Sequence, residues 1–121
     1  MSYSVNKTSI TLTRGDTLKI QVSIFKPDGD PYIPEPEDVI RFAMKKNYED
    51  PNPLILKIIP NDTLILTLDT QDTKPLEFGK YVYDIQLTNG SGEVDTFITK
   101  AQFILTEEVE WWTIISVAVW K

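Results

Sequence analysis

Lys80-Tyr81-Val82-Tyr83-Asp84-Ile85-Gln86-Leu87-Thr88, followed at once by Asn89-Gly90-Ser91-Gly92, decides the fold class. Tyr81, Tyr83, Ile85 and Leu87 take every second position, so one face is apolar. A period of two with a single apolar row marks a strand half-buried in an antiparallel sheet. The Asn-Gly-Ser-Gly stretch reads as a hairpin loop.

The same period recurs on either side. In Thr17–Phe25, Leu18, Ile20, Val22 and Ile24 alternate with Thr17, Lys19, Gln21 and Ser23. Ile10 and Leu12 alternate with Thr11 and Thr13, and Arg14-Gly15-Asp16 between the two runs reads as a hairpin turn or a bend between sheets. Ile40, Phe42 and Met44 share a face in Val39–Lys46. Leu54–Ile59 is an apolar run interrupted by Lys57, and Thr63–Leu68 alternates again, so the spacing predicts a hairpin turning at Pro60-Asn61-Asp62. In Glu93–Thr106, Phe97, Ala101, Phe103 and Leu105 share one parity while Val94 and Ile98 have the other. A change of facing within one run predicts a bulge or a strand that switches sheets. Asp69–Phe78 does not alternate, and its Asp/Thr-rich start and Pro75 suit a short helical turn.

Seven or eight short strands, with turn signals about every ten residues, predict an all-β domain, most simply an antiparallel sandwich. The 121 residues make one domain by length. No cysteine or histidine occurs among them, which removes disulfides, thiolate or imidazole metal sites and the Ser-His-Asp triad. Lys and Arg number 12 against 18 Asp and Glu, a net charge of −6 that disfavours a nucleic-acid partner. Met1–Ile10 lacks the basic start and apolar run of a secretory signal. The most apolar stretch, Trp111–Trp120, is half the ~20 residues a helix needs to span a bilayer, so no membrane span is expected. The expected product is soluble and made inside the cell.

Several groups of residues invite a chemical reading. Arg14-Gly15-Asp16 matches the integrin-recognition tripeptide, but a turn needing glycine explains it more simply. Asp28, Asp30, Glu35, Glu37 and Asp38 lie in a loop with Pro27, Pro31, Pro34 and Pro36. Without regular ligand spacing this is a solvated acidic loop, so no metal and no cofactor is expected. Asp84 and Asp95, on strands expected to pair, are the one carboxylate pair a glycosidase could use, though both are expected on a solvent face. Tyr32 and Tyr48 sit on loops, where aromatic side chains contact sugars or proteins.

The C-terminus is the least ordinary stretch. Glu107-Glu108-Val109-Glu110 precedes Trp111-Trp112-Thr113-Ile114-Ile115-Ser116-Val117-Ala118-Val119-Trp120-Lys121, which holds all three tryptophans. A segment apolar on both parities must be covered on both faces. It is expected as a final strand or as an oligomer contact, since edge strands invite pairing and interfaces favour tryptophan.

Thr13-Arg14-Gly15-Asp16-Thr17-Leu18, Pro31-Tyr32-Ile33-Pro34 leading to Asp38-Val39-Ile40-Arg41-Phe42, the run Leu76–Leu87 and Gly92-Glu93-Val94-Asp95-Thr96 together carry a family likeness. Over about residues 8 to 106 the chain resembles small bacteriophage and prophage structural proteins with an immunoglobulin-like domain. It is similar in particular to the N-terminal domain of baseplate upper proteins from phages of Gram-positive bacteria. The resemblance implies an antiparallel immunoglobulin-like β-sandwich over residues 1–106, with 107–121 as a separate apolar segment. It implies a non-enzymatic assembly module with other phage structural proteins as partners, in the tail or baseplate of the virion, or in the bacterial cytoplasm when expressed from a prophage. The expected contact residues are Trp111, Trp112, Ile114 and Trp120, joining copies of the chain, with Tyr32 and Tyr48 on the loops. A carbohydrate-binding module recognising a host-surface glycan is the alternative.

Overall fold

A computed structural model describes residues 3–6, 8–26 and 28–107. The alternating runs become strands β1 (Tyr3–Asn6), β2 (Ser9–Thr13), β3 (Leu18–Gln21), β4 (Val39–Lys45), β5 (Ile55–Ile59), β6 (Ile65–Leu68), β7 (Gly79–Thr88) and β8 (Val94–Thr106). One helical turn, α1 (Thr70–Thr73), lies between β6 and β7, within the stretch whose alternation fails. Asp69 starts it, its amide donating to Asp72 Oδ2 at 2.6 Å. The domain is therefore all-β.

Six strands form a curled sheet in the order β1-β2-β8-β7-β4-β5, and β3 pairs with β6 in a second sheet. The six-stranded sheet is mixed. β2 runs parallel to β8, with Ile10 opposite Phe103 and Thr13 opposite Thr106, while every other strand pair is antiparallel. The parallel pair arises because Arg14-Gly15-Asp16 is a bend between sheets. It carries the chain from β2 into β3 of the opposite sheet, leaving β2 to flank β8.

The expected hairpin of Leu54–Ile59 with Thr63–Leu68 does not form. β5 pairs with β4 and β6 with β3, so residues 60–64 cross from one sheet to the other. Leu64 carries the crossing in the left-handed region at φ 57°, its amide bonded to the Pro60 carbonyl. Asn61 Nδ2 ties the same corner to the carbonyls of Glu35 and Asp38, each at 3.1 Å.

Opposed rows fill the space between the sheets. Leu12, Ile40, Phe42, Met44, Phe103 and Leu105 come from the large sheet, Leu18, Leu66 and Leu68 from the small one, all buried. Phe42, Tyr83 and Phe103 pack ring to ring, with centroids 5.2 to 6.3 Å apart. Such tilted and edge-on pairs add to the area they bury.

Candidate interaction surface

Strand faces position the two carboxylates Asp84 and Asp95. β7 puts Tyr81, Tyr83, Ile85 and Leu87 inward, which sends Asp84 outward. There Asp84 Oδ1 accepts the amide of Lys100 at 2.8 Å. Lys100 is left-handed, at φ 52°, and the β7–β8 register slips at this point: Tyr83 opposes Ala101 but Ile85 opposes Ile98. The predicted change of facing in β8 is thus a bulge, and Asp84 binds its exposed amide. Asp95 lies opposite the buried Leu87 and therefore on the inward side of the sheet. The two carboxylates lie on opposite faces of the β7–β8 pair, rather than sharing the solvent face that alternation suggests. They cannot flank one bond as a glycosidase pair does.

The Arg14-Gly15-Asp16 bend is tied inward. Gly15, at φ 88°, donates its amide to the buried Thr73 Oγ1 at 2.8 Å, and Arg14 donates to the Leu76 carbonyl at 3.2 Å. The Arg14 guanidinium also lies 5.6 Å from the Phe78 ring centre. An arginine held by a carbonyl and a ring serves the junction between β2, β3 and α1.

Tyr32 is half-buried against the core, and its hydroxyl donates to Asp38 Oδ2 at 2.5 Å. Asp38 is itself buried and accepts the Glu35 amide at 2.8 Å. The hydrogen bond to the Asp38 carboxylate, helped by burial, pushes the Tyr32 hydroxyl up to about 12. Tyr32 therefore fastens the proline-rich loop to the sheet. Tyr48 is exposed, with the ammonium groups of Lys100 and Lys45 4.8 and 6.0 Å from its ring centre. Trp111, Trp112, Ile114 and Trp120 lie outside the described residues. Among the described residues no group of three or more carboxylates is placed to hold a metal ion, and no helix is long and apolar enough to cross a membrane.

Among the described residues an exposed apolar row lies on β5, an edge of the large sheet. Ile55 and Ile59 are buried, whereas Leu56 and Ile58 face outward, 55% and 59% exposed. Leu54 extends the stripe at 50%, and Ala43 on β4 lies beside Leu56. Lys57 points to the inner side and bridges to Asp72 of α1 at 3.0 Å. A charge turned inward on an edge strand is a device against uncontrolled pairing. An apolar outer row on an edge strand is the opposite, a surface suited to contact. The signal was present in the sequence as the parity of Leu56 and Ile58, hidden inside a run in which nearly every residue is apolar.

Comparison with protein-family models, curated proteins and solved structures finds no match for this chain.

Proposed function

We propose that this protein is a non-enzymatic structural and assembly module of a phage or prophage particle, built on an immunoglobulin-like sandwich and acting through protein–protein contacts. The observation that carries the proposal is the outward row Leu54, Leu56 and Ile58 on an edge strand, each half or more exposed. Exposed leucine and isoleucine on a sheet edge cost solubility unless something covers them. The Trp-rich segment 111–120 adds a second apolar element that needs cover on both faces.

Two features support the immunoglobulin-like reading of the fold. The order β2-β8-β7-β4-β5 over β3-β6 sets β2 beside β8, β7 beside β4 and β3 beside β6, non-consecutive neighbours of the kind Greek-key connections make. The Tyr81 hydroxyl, near the start of β7, donates to the Glu77 carbonyl at 2.5 Å, the arrangement of the tyrosine corner of such domains. Asp84 and Asp95, on opposite faces of the β7–β8 pair, do not make a carboxylate pair across one bond, which favours contact over turnover.

The glycan reading has weaker support. Tyr32 is held by Asp38 and half-buried, and Tyr48 has two lysines over its ring, so neither offers a bare stacking platform. A glycan array at high protein concentration tests that alternative. The assembly reading is tested by quantitative mass spectrometry of purified particles from a producing strain. A fixed stoichiometric copy number supports it, and absence from particles contradicts it.

A further inference from the structure

The two ends of the large sheet differ in charge. β4 runs from Val39, opposite Thr88, to Lys45, opposite Val82, about 20 Å further on. The loop before β4 and the loop after β7 therefore lie at the same end. They touch there, since a Cβ at Gly90 would stand 3.0 Å from the Glu37 Cβ. Residues 28–38 hold Asp28, Asp30, Glu35, Glu37 and Asp38 and no lysine or arginine. A groove of about 440 Å³ separates the two loops, with Glu35, Glu37, Asn89 and Ser91 in its lining. Asp38 is taken up by Tyr32 and the Glu35 amide. Glu35 and Glu37 are exposed, and among the described residues neither forms an ion pair.

Lysines gather at the other end. Lys45 ends β4 and Lys46 follows it, Lys80 lies at the start of β7, and Lys100 sits on the β8 bulge beside Ala101. Lys100 and Lys45 flank the exposed ring of Tyr48, as described above. Lys46 Nζ lies 4.7 Å from the Tyr81 ring centre and donates to the Lys80 carbonyl at 3.2 Å. Among the described residues none of these four ammonium groups forms an ion pair. Glu49 and Glu77 stand in the same region without pairing with them. Asp84 and Asp50 hold backbone amides instead, those of Lys100 and Asn47.

We infer that the chain associates head to tail with a second copy of itself, the lysine end around Tyr48 receiving the acidic loop end of its neighbour. Charge complementarity selects this occupant. A chain of net charge −6 repels its copies in general, and bringing the lysines onto Glu35 and Glu37 replaces that repulsion with attraction. The two surfaces differ, so the contact is heterologous and repeats from copy to copy, closing a ring or running on as a filament. The exposed Tyr48 ring supplies the kind of side chain on which such contacts centre. This deepens the assembly reading, on which it rests for its purpose, and it uses neither the β5 row nor residues 111–120.

Sedimentation velocity of two charge-reversed full chains tests the inference. Lys46→Glu with Lys100→Glu makes the lysine end acidic, and Glu35→Lys with Glu37→Lys makes the groove rim basic. All four positions are exposed, and circular dichroism identical to the parent's reports an intact fold. Each variant alone should associate roughly tenfold more weakly than the parent at low ionic strength. An equimolar mixture of the two should recover association, because every contact between unlike chains again joins opposite charges. Raising salt from about 0.01 to 0.1 M, which shortens the screening length from about 30 to 10 Å, should weaken the parent's association. A variant that associates as strongly as the parent, or a mixture no stronger than its components, overturns the inference. An oligomer that persists in both variants does so while leaving the assembly reading standing on another surface. A parent that is monomeric at every concentration and salt also overturns it, and the copy number in purified particles then decides the assembly reading separately.

Discussion

Asp84 Oδ1 holds the amide of Lys100 at 2.8 Å, across the point where β8 has more residues than β7 can pair. A bulge leaves an amide without a ladder partner, and here a side chain from the opposite strand supplies the acceptor. Asp84→Ala should lower stability by about 1 kcal/mol, the net worth of one such bond. Lys100→Gly should be neutral or mildly stabilising, because glycine adopts the left-handed conformation without the cost a side chain meets there. Urea unfolding of both variants checks the opposite directions.

The ring cluster of Phe42, Tyr83 and Phe103 sits where β4, β7 and β8 meet, and Phe42 and Phe103 are fully buried. Phe42→Ala should cost about 3–5 kcal/mol, transfer and cavity together. For a domain of ordinary stability that is a large share of the total. Thermal unfolding should show a drop of many degrees, or no cooperative transition.

Alkaline pH should unfold the protein through its tyrosines. Burial pushes the Tyr83 hydroxyl up to about 12 and also raises Tyr81, while the bond to Asp38 raises Tyr32 to about 12. A raised value in the fold means that the unfolded chain ionises first, near the ordinary 10. The stabilisation is complete below pH 10 and is lost as pH climbs toward 12. Urea midpoints measured from pH 8 to 12 should fall steeply above 10. The fall should be shallower in Tyr83→Phe, where the hydroxyl bonded to the Thr8 carbonyl is gone.

Much of this architecture can be read from the chain. The alternation in Lys80–Thr88 and the parity change in Glu93–Thr106 give β7, β8 and the bulge, because facing is a local property of a strand. Partnership is not local. Nothing in Thr63–Leu68 says that β6 pairs with β3 rather than β5, since a turn at Pro60-Asn61-Asp62 serves a hairpin or a crossing equally well. The parallel β2–β8 pair joins the two ends of the domain and leaves no mark on either strand. Of the contact residues, Tyr48 is exposed as its loop position suggests, whereas Tyr32 is drawn inward by a carboxylate six residues away. The β5 surface escapes notice because Leu54–Ile59 reads as uniformly apolar until Ile55 and Ile59 are known to fill the core.

Leu56 and Ile58 give the sharpest separation of contact from folding. The double substitution Leu56→Asp and Ile58→Asp falls on exposed outward positions. Each change should shift folding stability by no more than about 0.5 kcal/mol. It should raise solubility and weaken association with a partner or a second copy. Sedimentation velocity of the variant and the parent at matched concentrations checks this.

We propose that the protein works by contact between subunits, with Trp111 and Trp112 among its anchors. The mass of the full chain in solution, by light scattering behind size exclusion over a range of concentrations, tests it most directly. A discrete oligomer is expected, reduced to a folded monomer by Trp111→Ser with Trp112→Ser. A protein monomeric at every concentration, or an oligomer that these two substitutions leave intact, would contradict the claim.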